Sequence, residues 1–247
     1  MLTRNDLVKL ANKPEYGDGR IIEIEGTKYR VFFEQTGQTI ILESSVAVLE
    51  KVERCPSFIL PEQYHLRLQE LDDKDICSDG YRFAYSNTDE KTFANGTLRD
   101  QWYEQYKGIL FDDADLSNAK GQPGNYFIEW LAAIRIYELT DHKYRTLVEL
   151  YECKDTHIKK QPILQKFLGH PFYDYITCYK KPEYGNAQCP DLFVYSEEIN
   201  HWFFCETKRV GEAFTPSQKK FFPNLKKIAP VLNGHSIEIR LIRFAQE

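Results

Sequence analysis

Short apolar runs alternate with glycine-containing turns over the first part of the chain. β-Branched and aromatic residues dominate three of these runs, at residues 20–25, 28–33 and 39–42. Turns at Gly26 and Gly37 separate the runs, as is typical of antiparallel hairpins. In front of them, a capped apolar segment predicts a helix over residues 3–12. The pattern therefore predicts a short helix followed by a small antiparallel barrel or curled sheet.

The middle of the chain has a weaker pattern. After a proline-marked connector we expect two helices and one strand, at residues 62–71, 98–110 and 81–85. An acidic run at residues 71–75 lacks the glycine and the terminal glutamate of an EF-hand calcium loop. We therefore expect that run to be a solvated surface. Together these features predict a connector and helical region over residues 56–120.

A second set of elements follows the Gly-Gln-Pro-Gly-Asn break at residues 121–125. Apolar residues three to five positions apart predict a helix over residues 126–139. Beyond it we expect two helical segments, at residues 144–151 and 158–168, and then three strands, at residues 172–179, 191–195 and 202–208. A helix at residues 216–222 and a last strand at residues 236–244 follow. The later helix has Thr215 as its predicted cap and Pro216 at its first position. The predicted order is thus helix, helical insertion, three strands, helix and strand.

Composition restricts the classes of partner. The chain has 247 residues and a formal net charge of −5, so no global positive field draws it toward nucleic acid. Residues 201–247 are an exception, because eight Lys/Arg outnumber four acidic residues there, a net +4. The six cysteines show no CxxC pair and no zinc-type Cys/His spacing. With no signal peptide and no membrane-length apolar run, we expect an intracellular protein without a membrane partner, cytoplasmic in a prokaryote or nuclear in a eukaryote.

Two apolar strands carry acidic residues at their ends. Asp191 follows Pro190 and opens the first strand, whereas Glu206 and Lys208 close the second, after a polar turn at residues 196–200. This spacing suits two antiparallel strands and would bring both carboxylates to one edge of a sheet. Side chains two positions apart lie on the same face of a strand, so Lys208 should lie beside Glu206. Two carboxylates and an ammonium so placed can hold a divalent metal beside a phosphate.

Glu129 in the first turn of one predicted helix and Gln218 early in another extend this pattern. Together with the Pro-Asp and Glu-x-Lys motifs, they resemble the PD-(D/E)xK nuclease superfamily, and within it the virus-type replication-repair (VRR) nuclease domains. The resemblance covers residues 120–245, with a long insertion between Glu129 and the first motif strand. It implies an α+β fold in which a mixed sheet is flanked by helices around a restriction-endonuclease-like core.

The resemblance also implies roles for these residues. The implied cofactor is Mg²⁺ or Mn²⁺, held by Asp191, Glu206, Glu129 and the backbone carbonyl of Thr207. Lys208 would position the attacking water or stabilise charge on the phosphate, and Gln218 would contact phosphates. The implied function is a metal-dependent DNA nuclease that hydrolyses phosphodiester bonds in DNA repair, recombination or replication.

The basic residues near the motif form the expected DNA-binding face, which consists of Lys208, Arg209, Lys219, Lys220, Lys226 and Lys227. The start of the helix at Pro216 adds its own attraction for phosphate. Nucleases of this fold that cut both strands commonly pair, so the resemblance makes a homodimer the candidate assembly. The expected domains are residues 1–55, 56–120 and 121–247, the last being the nuclease domain.

Other interpretations stay open. Residues 14–50 resemble SH3-like or Tudor-like barrels, which bind substrates or partners, but a purely structural appendage fits equally well. The whole chain could be a catalytically inactive nucleic-acid- or protein-binding module that keeps the nuclease fold, and its acidic net charge favours this alternative. A Cys/His nucleophile at Cys205 and His201 is disfavoured, because no third group is available to orient the histidine.

Overall fold

The chain combines helices with two five-stranded sheets, so the predicted α+β class is confirmed. The structure, a computed structural model, describes residues 2, 6–33, 36, 38–45, 47–52, 76–149, 151, 157–178 and 189–247. The predicted helix at residues 62–71 and the acidic run at residues 71–75 lie outside this part of the chain. None of the described helices is long and apolar enough to cross a membrane.

Antiparallel hairpins build the first sheet. Its strands are β1 (Leu7–Leu10), β2 (Asp18–Glu25), β3 (Lys28–Phe33), β4 (Gln38–Glu43) and β5 (Leu49–Lys51). They lie in the order β4-β3-β2-β1-β5 and curl into a half-barrel, and a 3-10 helix (Pro14–Tyr16) joins β1 to β2. The sheet has its own hydrophobic core of Val8, Leu10, Ile21, Val31 and Phe33. The three strands predicted from the sequence are confirmed as β2, β3 and β4.

The helix predicted over residues 3–12 is wrong, because β1 occupies residues 7–10. Val8 and Leu10 are buried and Lys9 is exposed, which is the period of a strand. β1 lies between β2 and β5 and pairs antiparallel with both. An apolar segment this short fits either periodicity, and pairing with two neighbours stabilises the strand.

The second sheet is mixed and larger. Its strands are β6 (Ser78–Tyr85), β7 (Arg145–Leu147), β8 (Leu192–Ser196), β9 (His201–Arg209) and β10 (Ile239–Gln246). In the order β6-β10-β9-β8-β7, the first three strands are mutually parallel, whereas β9, β8 and β7 are antiparallel. β6, from the predicted connector region, therefore shares a sheet with the strands of residues 121–247.

Helices cover both faces of the second sheet. They are α1 (Asn87–Ala94), α2 (Thr97–Tyr106), α3 (Asp113–Gly121), α4 (Phe127–Leu139), α5 (Gln161–Cys178) and α6 (Pro216–Asn233). Alternate residues of β8 enter different cores: Leu192 and Val194 pack with α1 to α4, whereas Phe193 and Tyr195 pack with α5 and α6. Burial on both faces explains the continuous apolar run of β8.

Two elements predicted in the C-terminal part are wrong. The helix expected at residues 144–151 is β7, because residues 145–147 pair with β8. The strand expected at residues 172–179 belongs, as far as Cys178, to α5, where all of the residues from 172 to 176 are buried. β7 therefore precedes the helical insertion. The predicted elements at α2, α4, the start of α5, α6, β6 and β8 to β10 are confirmed in type and approximate position, whereas α1, α3 and β5 were not predicted.

A bulge in β6 decides which of its side chains face α6. Asp79 pairs with Leu241 of β10, but the next pair is Arg82 with Arg243, so β6 holds one extra residue between them. At Gly80 an added Cβ would lie 2.6 Å from the carbonyl oxygen of Leu241. Because that oxygen belongs to the backbone, any side chain at Gly80 would push the two strands apart.

Replacement of Gly80 with Ala should therefore lower the free energy of unfolding by about 1–3 kcal/mol, the usual cost of overpacking. The matched control is Gly121→Ala at the end of α3, where an added Cβ meets nothing within 4 Å. Urea unfolding of both variants would measure the difference. Equal stability of the two variants would contradict the close approach of β6 and β10.

Candidate functional site

The hairpin of β8 and β9 brings the predicted acidic residues together. Leu192 pairs with Cys205, so Asp191 and Glu206 come opposite one another at the next position. The antiparallel arrangement predicted from the spacing is thus confirmed. An Asp191 oxygen accepts hydrogen bonds from the backbone N–H of Thr207, at 2.8 Å, and from its hydroxyl, at 2.6 Å. These two bonds fix the Asp191 carboxylate against the end of β9.

Glu206 is the centre of the site and is fully buried. Its Oε1 accepts hydrogen bonds from Lys208 Nζ, at 2.6 Å, and from Gln218 Nε2. The prediction that Lys208 lies on the same face as Glu206 is therefore confirmed. Among the described residues, nothing donates a hydrogen bond to the buried Glu206 Oε2. A buried carboxylate oxygen without a donor needs a cation or a proton.

Gln218 is positioned by the start of α6. The Thr215 hydroxyl accepts from the Gln218 backbone N–H, and the Gln218 side-chain oxygen accepts from the Thr215 N–H at 3.0 Å, which is a capping box. The predicted cap is thus confirmed. With its oxygen engaged in this way, the side-chain amide can only direct its nitrogen at Glu206. The α6 cap thereby sets the donor that holds Glu206 Oε1.

Glu129 lies in the first turn of α4 and is half-buried. Burial raises the pKa of Glu129 well above its usual value, and the charges of Asp191, Glu149 and Glu206 raise it further. The structure therefore brings Glu129 within electrostatic range of both predicted partners. Its role as a metal ligand stays a prediction, as does the role of the Thr207 carbonyl.

The pKa of Glu206 is raised in the same way as that of Glu129. Burial raises the pKa of Glu206 well above its usual value, the charge of Asp191 raises it further, and Lys208 opposes both effects. Three carboxylates and one ammonium leave the ionised site negative, which is unfavourable for buried groups. A divalent cation would relieve this repulsion, and carboxylate oxygens are the ligands that Mg²⁺ prefers. In charge and in donor type, these residues therefore suit a divalent metal.

A second group of residues, not predicted from the sequence, could hold a metal ion. One ligand atom from each of Asp112, Asp115 and His157 lies within 4.8 Å of the others, a condition that no other three-donor group in the described residues meets. Glu129, Asp191 and Glu206 are therefore more widely spread. Both aspartates also serve the start of α3, since Asp112 caps it in a capping box with Asp115.

A lysine already occupies part of this second group. Lys160 is buried, and its Nζ donates to Asp115 Oδ1 and, at 2.6 Å, to the carbonyl of Val148. Burial raises the pKa of Asp115 to about 6, while Lys160 acts in the opposite direction. The ammonium of Lys160 thus already neutralises Asp115, so a metal ion there would have to compete with it. The aspartates resemble an ordinary helix cap in the sequence, which gives no signal that Lys160 packs onto them.

Glu149 connects the two acidic groups and was also missed. It follows β7 with a positive φ of 53°, is buried, and accepts a hydrogen bond from Trp130 Nε1 of α4. Burial raises the pKa of Glu149 to about 9, and the charge of Asp115 raises it further. The carboxyl is therefore protonated at neutral pH. Its position depends on β7, which the sequence pattern had indicated as a helix.

The predicted basic face divides into two parts. Lys219, Lys220, Lys226 and Lys227 lie on α6, with Lys220 and Lys227 exposed. Arg209, by contrast, forms an ion pair with Glu90 of α1 and lies 3.6 Å from Glu212. Its guanidinium is therefore already engaged by two carboxylates.

The geometry also disfavours a cysteine nucleophile. Cys205 is fully buried, and burial raises the pKa of its thiol well above the usual value. His201 is exposed, and its Nδ1 lies 2.9 Å from the Tyr144 hydroxyl. Four residues of extended strand separate the two by about 13 Å. A neutral, distant thiol cannot be activated by this histidine.

No protein-family model matches this sequence, and no curated protein matches it significantly. Membership of the PD-(D/E)xK superfamily therefore stays a prediction, supported by the residues of this chain and by their arrangement around Glu206.

Proposed function

We propose that this protein is a metal-dependent nuclease that hydrolyses phosphodiester bonds in DNA, in repair, recombination or replication. One observation carries the proposal: Lys208 and Gln218 both hold Glu206 Oε1, whereas no described residue donates to the buried Oε2 of the same carboxylate, opposite Asp191. Such an oxygen suits a metal ligand. Asp191, Glu206 and Glu129 would hold Mg²⁺ or Mn²⁺, with the Thr207 carbonyl as a further ligand.

The chemistry divides between the ion and the chain. A divalent ion neutralises charge on the phosphate oxygens and acidifies a water molecule. Lys208 keeps its ammonium on the same face as Glu206, with the ring of Phe214 centred 5.8 Å from Nζ. From there it can orient an attacking water and stabilise the negative charge that builds on the phosphate. Gln218 keeps Glu206 in one orientation, so that Oε2 stays available.

The alternative is a non-catalytic nucleic-acid- or protein-binding module that retains this fold. The net charge of −5 and the spread of the three carboxylates favour it. Against it stands the arrangement of Lys208 and Gln218 as donors to one oxygen of Glu206, since a binding module has no need of that arrangement.

Cleavage assays test the proposal. Plasmid, single-stranded, flapped and branched DNA would be incubated with Mg²⁺ or Mn²⁺ and either the wild type or Lys208→Met. We expect metal-dependent cleavage by the wild type and a fall in kcat on the order of 10²–10³-fold in the variant, the usual effect of removing one electrostatic stabiliser. Lys166→Met is the matched control, because Lys166 is exposed on α5 and its ion pair with Glu197 is exposed as well.

Two results would overturn the proposal. The first is the absence of metal-dependent cleavage of every substrate by the wild type, and the second is equal cleavage by wild type and Lys208→Met. Persistent DNA binding without turnover would favour the non-catalytic alternative.

A further inference from the structure

A row of basic residues extends from the site across the second sheet. Lys208 of β9 pairs in register with Arg243 of β10, and Arg243 pairs with Arg82 of β6. Paired residues of neighbouring strands point to the same face, so the three side chains lie on the α6 side. With strands about 4.8 Å apart, the row spans about 10 Å between the outer Cα atoms.

The bulge at Gly80 creates this row. Before the bulge, Asp79 pairs with Leu241, so an unbroken β6 would place residue 81 opposite Arg243. The extra residue instead turns Tyr81 and Phe83 toward the core of α1 to α4 and aligns Arg82 with Arg243. The close approach of β6 to β10 at Gly80, which only glycine permits, therefore places the positive charge of Arg82 beside that of Arg243.

Arg82 and Arg243 also line an open pocket of about 540 Å³. Its other wall is the loop after β9, residues 210–213. Arg82 is exposed and forms no ion pair with a described residue, and Arg243 donates to the Glu212 carbonyl at 2.9 Å without reaching a carboxylate. The Glu212 carboxylate instead accepts a hydrogen bond from the backbone N–H of Arg209, at 2.9 Å. Among the described residues that line the pocket, Glu212 is the only acid, and its carboxylate contacts Arg209 rather than Arg82 or Arg243.

Like charges on directly paired residues destabilise a sheet. Arginines at a solvated surface are normally separated from one another or paired with acids, whereas Arg82 and Arg243 are directly paired in the sheet. An anionic ligand would relieve the repulsion, and guanidinium groups bind phosphate through paired N–H donors. A DNA strand that enters the site carries one such phosphate per nucleotide.

We propose that Arg82 and Arg243 form a subsite for the backbone phosphates that flank the scissile phosphodiester, on the β6 side of Lys208. The proposal rests on the proposed nuclease function, and it assigns the path of the DNA strand. The bound strand runs from the Lys208 site across β10 toward the β6 edge of the sheet.

DNA binding in the Asp191→Asn background tests this subsite without cleavage. Fluorescence anisotropy of a labelled single-stranded oligonucleotide would be measured over a range of salt concentrations, with and without Arg82→Gln and Arg243→Gln combined. Two lost phosphate contacts should reduce the slope of log K against log salt by about 1.4 and weaken binding on the order of tenfold. Arg145→Gln, at the opposite edge of the same sheet, is the matched control and should change neither quantity.

Cleavage by the same variants separates the two proposals. If the wild type cleaves DNA but the double arginine variant keeps the full salt slope, the subsite is overturned and the nuclease function stands. If the slope falls by the expected amount but the wild type never cleaves, the subsite stands as a DNA-binding site and the nuclease function fails. If no DNA binds at all, both proposals are overturned.

Discussion

Replacement of Asp191 with Asn should strongly reduce metal-dependent cleavage while raising the stability of the metal-free protein. Asp191 lies opposite Glu206, and its charge raises the pKa values of both Glu206 and Glu129. Loss of that charge removes a repulsion that the folded protein otherwise bears without metal. The Asn oxygen can still accept both hydrogen bonds from Thr207, so the local geometry should persist.

The expected effects on cleavage and on stability differ in sign and in size. Loss of the proposed metal ligand should reduce cleavage on the order of 10³-fold, since a metal supplies several kcal/mol of transition-state stabilisation. Relief of the repulsion should add about 1 kcal/mol of stability and raise the metal-free Tm by about 2–4 °C. Saturating Mn²⁺ should raise the Tm of the wild type but not that of the variant.

Asp141→Asn is the matched control for both measurements. Asp141 is exposed in the turn after α4 with a φ of 50°, a conformation that Asn tolerates well. Thermal melts and cleavage assays of the control should match the wild type. A lower metal-free Tm in Asp191→Asn, or undiminished cleavage, would contradict the assignment of Asp191 as a repelled metal ligand.

Replacement of Lys160 with Met should produce the largest loss of stability. Lys160 and Asp115 are both buried, and the ammonium also satisfies the Val148 carbonyl. Removal of one partner of a buried pair costs about 3–5 kcal/mol, because the remaining charge has no compensation. The control is Lys159→Met on the neighbouring residue, whose ion pair with Asp113 is exposed and should contribute less than about 1 kcal/mol.

The dependence of this loss on pH follows from Asp115. Its pKa is raised to about 6 in the folded protein, so the folded state binds more protons than the unfolded state between about pH 4 and 6. Stability from this group is therefore lost as pH rises through that window. Without Lys160 the pKa should rise further, so the variant should lose more stability at pH 8 than at pH 5. Urea unfolding at both pH values would measure this, and an equal loss would contradict the buried pair.

The outcome at Lys160 also bears on the Asp112, Asp115 and His157 group. If that group holds a metal, Zn²⁺ should stabilise Lys160→Met more than the wild type, because the competing ammonium is gone. Asp115→Asn should remove the effect. The same titration followed in Asp191→Asn would show whether the two acidic groups bind metal independently.

Local rules were sufficient to predict the centre of the site. Glu206 and Lys208 share a face because strand side chains alternate, and the short turn before β9 brings Asp191 opposite Glu206. The cap that orients Gln218 is equally local, since Thr215 and Pro216 precede it in the sequence. These contacts span few residues, so sequence spacing alone constrains them.

The parts that were missed depend on packing between distant segments. Lys160 meets Asp115 across 45 residues of sequence, and it also donates to the carbonyl of Val148, directly after β7. The aromatic residues of α5 have high strand propensity, but burial against β8 and α6 selects a helix. The alignment of Arg82 with Arg243 depends on a one-residue bulge, which the sequence indicates only through Gly80.

The central claim is that Asp191 and Glu206 bind a divalent metal, and anomalous diffraction from Mn²⁺-soaked crystals tests it most directly. We predict an anomalous peak in contact with Asp191 and with Glu206 Oε2, and its loss in Asp191→Asn. A peak only at Asp112, Asp115 and His157, or no peak at saturating Mn²⁺, would contradict the claim.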